Sequence, residues 1–257
     1  MPYSALQPDR LIATIATLRD RIRERFPTAS LGGVAEALLG IATAHAERSQ
    51  RIRRPIWWLR ALSFGLVLAS IASLVLLGLS IRVRDEAEWP LSELVQTLEA
   101  GLSMLFFLGA GAVFLFSLEL RAKRRRCLEA VHELRAMAHI VDMHQLTKDP
   151  EHVLHGGPDT ASSPARTLSR FELSRYLDYC SEMLSLMGKV AALYAQGFPD
   201  PQAVAAVDDI EDLTTGLARK IWQKIMILEN AAAAPAAAAH PATPPAPPSP
   251  PHSGPAA

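Results

Sequence analysis

ALSFGLVLASIASLVLLGLSI, residues 61–81, is a stretch of 21 residues without a charged side chain, and AGLSMLFFLGAGAVFLFSL, residues 100–118, is a second stretch of 19. The hydrocarbon core of a bilayer is roughly 30 Å thick, and about 20 apolar residues in a helix cross it. Trp57 and Trp58 precede the first stretch, which is typical of a membrane interface. The sequence therefore predicts two transmembrane helices. Two buried helices of a soluble protein are the alternative, but such helices are usually shorter and keep a polar face.

Positively charged residues surround the two stretches unevenly. Eleven Arg and Lys lie in the two flanks outside the pair, from Arg48 to Arg60 and from Arg121 to Arg135, whereas the segment between the stretches, residues 82–99, holds only Arg82 and Arg84. The eleven are Arg48, Arg51, Arg53, Arg54, Arg60, Arg121, Lys123, Arg124, Arg125, Arg126 and Arg135. Because Arg and Lys resist translocation, the richer side is the cytoplasmic one. We therefore predict a protein of the bacterial inner (plasma) membrane with both termini in the cytoplasm.

The composition narrows the classes of partner. Twenty-six Lys and Arg balance 26 Asp and Glu, so no basic surplus points to nucleic acid. Cys127 and Cys180 are too few for a disulfide framework, and both are predicted to lie on the reducing side of the membrane.

Because no apolar segment occupies the first residues, which include Pro8 and Asp9, a cleaved secretory signal is not expected.

Outside the two stretches the apolar residues recur at helical spacing, and the predicted fold class is all-α. Three segments of similar length after the second stretch, each roughly 40 Å long as a helix, fit an antiparallel bundle. The last 27 residues hold nine of the 19 prolines and no charged residue, which favours disorder. The predicted organisation is N-terminal amphipathic helices at 1–55, transmembrane helices at 56–81 and 100–120, a short external segment at 82–99, a cytoplasmic three-helix bundle at 121–230 with a loop at 147–168, and a disordered Ala/Pro-rich tail at 231–257.

Helix boundaries and seams follow from local signals. Pro90 suits the first position of a helix, so the second transmembrane helix is predicted to start outside the bilayer. Neither Pro nor Gly occurs from Glu119 to Leu146, so the same helix is predicted to continue beyond the membrane. Ser169 and Glu172 have the spacing of a capping box. A strict four-three alternation then predicts a packing seam along Leu173, Leu177, Cys180, Leu184, Met187, Ala191 and Tyr194.

Five of the eight histidines lie between residues 132 and 155, the one local enrichment that suggests chemistry. Glu129 with His132, and His139 with Asp142, have the i, i+3 spacing found in metal sites of helical bundles. His132 and His139 are about 10 Å apart along a helix, so they need ligands from elsewhere to share one metal. Surface histidines are the simpler interpretation, and we predict no metal and no cofactor.

Two further groups of residues are predicted to make contacts at the membrane. The densest charge run attracts anionic lipid headgroups by about 1 kcal/mol per cation, and it comprises Arg121, Lys123, Arg124, Arg125 and Arg126. Small residues recur every fourth position on one face of the first stretch and allow close helix approach; they are Ala61, Gly65, Ala69 and Ser73. We expect this stripe to pack against the second transmembrane helix, with contact to a second copy as the alternative. Within the bundle, the residues predicted to pack are Leu177, Leu184 and Met187.

The sequence holds no Walker loop, dinucleotide fingerprint, HExxH or GxSxG element. We therefore predict a non-enzymatic membrane protein, without catalytic or cofactor-binding residues, whose bundle acts as a scaffold, sensor or assembly component. Its expected partners are membrane lipids, a second copy and an unidentified protein, but not nucleic acid. An oligomeric channel or pore-forming effector is one alternative, although neither stretch holds an ionisable residue that marks an ion path. A membrane-bound metal-dependent enzyme using the His132 region is the other.

Overall fold

The computed structural model describes residues 5–83, 90–150, 161–163 and 167–238. These residues form helices and connecting segments, with no strand among them, which confirms the all-α class. The helices are α1 (Pro8–Arg25), α2 (Leu31–Arg53), α3 (Trp57–Val83), α4 (Leu91–Leu146), α5 (Arg170–Gly197) and α6 (Pro201–Ala238).

The ends of α5 and α6 follow from local hydrogen bonds. At the start of α5, the Glu172 amide donates to Ser169 Oγ and the Ser169 amide donates to the Glu172 carboxylate, which confirms the predicted capping box. At the start of α6, Asp200 Oδ1 accepts from the amides of Gln202 and Ala203. Both caps satisfy amides that have no partner inside the helix.

The fourth helix is the longest element of the described chain. α4 has 56 residues and therefore a length of about 84 Å. Pro90 is its N-cap residue, and the helix runs without interruption through the second uncharged stretch to Leu146. This confirms that the helix starts before that stretch and continues beyond it. The apolar and the charged halves of α4 are therefore parts of one rod.

Five helical segments share one hydrophobic core, and we call them the helical body: α1, α2, residues 119–146 of α4, α5, and α6 up to Leu228. The seam predicted for α5 is buried along its whole length, and the predicted packing residues Leu177, Leu184 and Met187 are fully buried. Burying a side chain of this size contributes roughly 1.5–3 kcal/mol. Fully buried residues from the other segments include Ile15, Ile22, Leu38, Leu134 and Ile210.

Side-chain contacts give the directions of the three later segments. Arg124 and Gln145, near the two ends of the charged half of α4, contact Asp200 and Lys224 respectively, so α4 and α6 run in the same direction. Arg170 at the start of α5 hydrogen-bonds the carbonyl of Leu228, so α5 runs opposite to α6. Consecutive segments therefore alternate in direction, while α1 packs on α5 and α2 packs on both α4 and α5.

α3 and residues 91–118 of α4 pack against each other outside this core, and we call them the apolar hairpin. The two helices run in opposite directions, because Leu77 lies against Gly101 and Leu66 against Gly111. A Cβ atom added at Gly111 would lie 2.9 Å from Leu66 Cδ2, so any larger residue there would force the end of the Leu66 side chain to move. The glycines of α4 thus accept leucines of α3.

The C-terminal boundary of the last helix differs from the prediction. Disorder was predicted from residue 231, but α6 continues to Ala238. Alanine has the highest helix propensity of all residues, so the four alanines after Asn230 extend the helix at little cost as far as Pro235. The rest of the predicted tail, residues 239–257, lies outside the described residues, as do residues 84–89 and most of the predicted loop 147–168.

Candidate functional site

The outer surface of the apolar hairpin is the most unusual surface of the described chain. Two helical stretches, Leu31–Leu79 and Leu91–Leu146, are long and apolar enough to cross a membrane, and almost none of their most apolar 18-residue windows is buried. Trp57 is 76% exposed and Phe107 is 73% exposed. A soluble monomer rarely exposes a contiguous apolar patch beyond a few hundred Å². Other exposed apolar residues of the hairpin include Trp58, Phe64, Leu68, Leu76, Leu102, Phe106, Val113 and Phe114.

The packing face of α3 is not the predicted small-residue stripe. Ala61, Gly65 and Ala69 are exposed and face away from α4, and nothing lies within 4 Å of a Cβ added at Gly65. Of the stripe, only Ser73 contacts α4, where its hydroxyl lies 3.1 Å from Met104 Sδ. The prediction that Ala61, Gly65 and Ala69 pack against α4 of the same chain is therefore wrong. Their contact with a second copy of the chain stays a prediction.

A different row of α3 faces α4. Its members are buried or half-buried and alternate in steps of four and three: Leu59, Ser63, Leu66, Ser70, Ser73 and Leu77. Two of these serines turn their hydroxyls onto their own helix, where Ser63 donates to the Leu59 carbonyl and Ser70 to the Leu66 carbonyl. The sequence signal for this row was the heptad spacing of Ser63, Ser70 and Leu77, which an every-fourth-residue search misses.

Glu119 ties the hairpin to the helical body. Its carboxylate, 8% exposed, accepts from the Ile56 amide at 3.2 Å and pairs with Arg60 at 3.3 Å and Lys123 at 2.9 Å. The Ile56 amide belongs to the chain that enters α3, so one side chain of α4 fixes the start of α3. A rotation of α3 against α4 would break the bonds to Ile56 and Arg60, whereas the pair with Lys123 lies within α4.

The charge run predicted to meet lipid is divided between the protein interior and the surface. Lys123 is buried beside Glu119, and Arg124 forms a two-point ion pair with Asp200. Arg125 pairs with Glu129 at 2.8 Å on the exposed surface. Arg121 and Arg126 are exposed, and neither forms an ion pair within the part of the chain that the structure describes. Headgroup contact by the five residues stays a prediction.

A cavity of about 400 Å³ opens between α2 and α4, and we call it the arginine pocket: Arg48, Arg51, Ile52, Arg126 and Glu129. Two of its arginines come from the last turns of α2 and the third from α4. In the sequence analysis, Arg48 and Arg51 served only to predict the membrane orientation, because nothing in the sequence shows that α2 folds back beside α4.

A polar cluster around His45 lies inside the helical body. His45 is fully buried, and its Nε2 lies 3.0 Å from Glu133 Oε2, so Nε2 carries the proton and donates it. Its ring packs edge-on against Tyr194 at a centroid distance of 5.6 Å. Burial lowers the pKa of His45, against the opposing effect of Glu133. His45 Nδ1 and the Tyr194 hydroxyl are buried without a hydrogen-bond partner among the described residues.

Both cysteines are buried in the core. Desolvation raises the pKa of Cys127 to about 11 and that of Cys180 to about 12. A thiol with such a pKa is almost entirely protonated at neutral pH, and the thiolate is the reactive form. The cysteines therefore pack as small apolar side chains.

The four candidate metal ligands are spread along α4. His132 and His139 are exposed, Glu129 pairs with Arg125, and Asp142 accepts a hydrogen bond from Gln145 at 2.7 Å. Within the described ranges, no group of at least three His, Cys, Asp or Glu side chains is arranged to hold a metal ion. The structure thus does not bring these four residues together.

A larger cavity, about 660 Å³, lies at the end of the body that is remote from the hairpin. Arg21 stacks on Tyr179 at 5.1 Å and Arg25 on Phe171 at 5.4 Å. Its charges are largely satisfied within the chain, because Arg21 pairs with Glu182 and acidic side chains also line the cavity.

Comparisons with protein-family models, with curated proteins and with solved structures give no match to this chain.

Proposed function

We propose that the chain is a non-enzymatic integral membrane protein in which two spanning helices, α3 and the apolar half of α4, anchor a cytoplasmic helical body. The body serves as a scaffold, sensor or assembly component for a protein partner. The observation that carries the proposal is the exposed apolar surface around the whole hairpin. Lipid chains supply the apolar environment that this surface lacks in water.

The connection between hairpin and body supports an anchoring role. α4 passes from the apolar half to the charged half without a break, and Glu119 bonds the start of α3 at the same level. A body attached through one continuous helix and a second bonded helix has a defined orientation relative to the bilayer. On the side of α3, only Arg54, Pro55 and Ile56 separate the body from the hairpin, and the bond from the Ile56 amide to Glu119 holds this short connection.

The orientation rests on the distribution of positive charge. The helical body carries the arginine-rich flanks of both apolar stretches, whereas the segment between the stretches has two arginines. By the positive-inside rule the body faces the cytoplasm.

Membrane integration is tested by extracting native membranes with alkaline carbonate, which releases peripheral proteins. We expect the chain to stay in the pellet. Orientation is tested with Glu88→Cys between the stretches and Ser162→Cys on the body, against a background in which Cys127 and Cys180 are buried. A membrane-impermeant maleimide should label the first variant in intact spheroplasts and the second only after permeabilisation.

Release of the chain by carbonate would overturn the membrane proposal, and the reverse labelling pattern would overturn the orientation alone. Purified protein in dye-loaded liposomes separates an anchor from a pore, because an anchor leaves the vesicles sealed. Crosslinking in native membranes, followed by purification, then identifies the partner of the body.

A further inference from the structure

We infer that the arginine pocket binds the phosphate group of an anionic phospholipid headgroup. This inference rests on the proposed function, because it needs the pocket to lie beside a bilayer. It adds Arg48 and Arg51 of α2 to the residues that contact lipid. It also assigns the phosphate to one binding site lined by named residues, in place of a general electrostatic attraction along the charge run.

The pocket has an uncompensated positive charge. Three arginines and one glutamate line it. Glu129 is engaged by Arg125 outside the pocket, and Arg48 shares Glu133 with His45. Arg51 pairs only with Glu47, and both of these side chains are mostly exposed, so this pair is weak.

Arg126 is the strongest candidate for a ligand contact. Its guanidinium forms no ion pair with any residue that the structure describes, although Glu129 lines the same pocket. Guanidinium groups bind phosphate oxygens in pairs of parallel hydrogen bonds, which a phosphate monoester or diester can accept from two arginines at once. Arg51 and Arg126 approach the cavity from different helices and suit such a clamp.

The pocket lies slightly beyond the expected height of the lipid phosphates, within reach of its arginine side chains. Arg126 follows Glu119 by seven residues, or about 10 Å along α4. The headgroup region extends roughly 5–8 Å beyond the hydrocarbon core on each side. Arginine side chains are long enough to reach toward that layer from positions above it. A lipid whose chains pack on the apolar hairpin therefore presents its phosphate at the mouth of the pocket.

The test uses the full-length protein in nanodiscs of phosphatidylcholine, at roughly 0.15 M salt so that general electrostatic attraction is screened. Phosphatidic acid is added in increasing mole fraction, and its affinity is read from the rise of the thermal midpoint. The pocket variant is Arg51→Gln with Arg126→Gln. The matched control is Arg10→Gln with Arg219→Gln, which removes the same charge from exposed positions of α1 and α6, outside the pocket and outside the charge run. Millimolar inorganic phosphate is the second arm.

We expect the pocket variant to bind phosphatidic acid at least about tenfold more weakly than the wild type, because two charge-assisted contacts are lost. The control should stay within about twofold. Equal weakening in both variants, or no effect in either, would overturn the inference, although membrane integration would stand. Saturation by inorganic phosphate would overturn the lipid as occupant and identify a soluble phosphate instead.

A second variant keeps the inference testable if the double substitution unfolds the chain. Glu129→Gln removes the acidic side chain of the pocket and leaves all three arginines. We expect it to bind phosphatidic acid more tightly than the wild type, and unchanged or weaker binding would contradict the site.

Discussion

Arg124 and Asp200 form a two-point ion pair between α4 and the first turn of α6, with Nε–Oδ1 at 3.0 Å and Nη2–Oδ2 at 2.7 Å. Asp200 is 5% exposed and also accepts from the amides of Gln202 and Ala203. One carboxylate thus caps α6 and fixes it to the charged half of α4. An arginine that the sequence explains by membrane topology is also a structural part of the body.

Replacing Asp200 tests this double role. Asp200→Ala removes the cap and leaves the Arg124 guanidinium without its partner, and we expect a loss of at least about 1–2 kcal/mol from the cap alone. Asp200→Asn is the matched control, because asparagine caps a helix but lacks the charge. We expect its thermal midpoint, measured in detergent micelles, to lie between those of Asp200→Ala and the wild type. Equal midpoints for Asp200→Asn and the wild type would show that the ion pair contributes nothing, and equal midpoints for the two variants would show the same of the cap.

Glu119 and Lys123 are a buried pair, with side chains about one-tenth exposed. Glu119→Ala leaves the Lys123 ammonium buried without its partner, and we expect a destabilisation of about 3 kcal/mol. The double variant Glu119→Leu with Lys123→Met removes both charges, and we expect it to regain part of this loss. Thermal unfolding of Glu119→Leu alone, Lys123→Met alone and the double variant gives the coupling. A double variant as unstable as the sum of the two single ones would contradict a direct interaction.

Two of the three glycines of α4, Gly109 and Gly111, lead to opposite predictions for the apolar hairpin. A Cβ added at Gly111 approaches Leu66, whereas nothing lies within 4 Å of a Cβ added at Gly109. We therefore expect Gly111→Leu to separate α3 from α4 and to lower the thermal midpoint, and Gly109→Leu to change it little. Disulfide formation between cysteines introduced at Ser73 and Met104, whose side chains are in contact, reports the separation. Equal crosslinking in both glycine variants would contradict the close approach.

These glycines also mark the limit of sequence reasoning about this chain. Apolar periodicity was enough to predict the all-α class, and two local signals, the absence of Pro and Gly after Glu119 and the spacing of Ser169 and Glu172, predicted the continuation of α4 and the capping box of α5. It was not enough to choose the packing face of α3, because every face of a lipid-exposed helix is apolar. The small-residue stripe through Gly65 was selected, but α4 supplies its own glycines and packs on the leucine and serine row.

The arginine pocket illustrates the second limit. Arg51 and Arg126 are 75 residues apart in sequence, and their proximity depends on how α2 folds back along α4. Each residue was recognised as a juxtamembrane cation, but a cavity between two helices has no signature in either helix alone. The same holds for the buried His45, whose partners Glu133 and Tyr194 lie on two other helices.

His45 makes the helical body sensitive to pH. Its pKa is held below the usual value because burial disfavours the imidazolium, with Arg48 adding to this effect and Glu133 opposing it. Below about pH 6.5 the unfolded chain therefore binds a proton that the folded chain does not, and stability falls as the pH drops toward the folded pKa. We expect the thermal midpoint of the wild type to decline from pH 7 in this direction. His45→Gln keeps a donor for Glu133 without titrating and should flatten the decline, whereas His139→Gln, at an exposed position, should leave it unchanged. If both variants declined as steeply as the wild type, the pH dependence would arise from groups other than this buried imidazole.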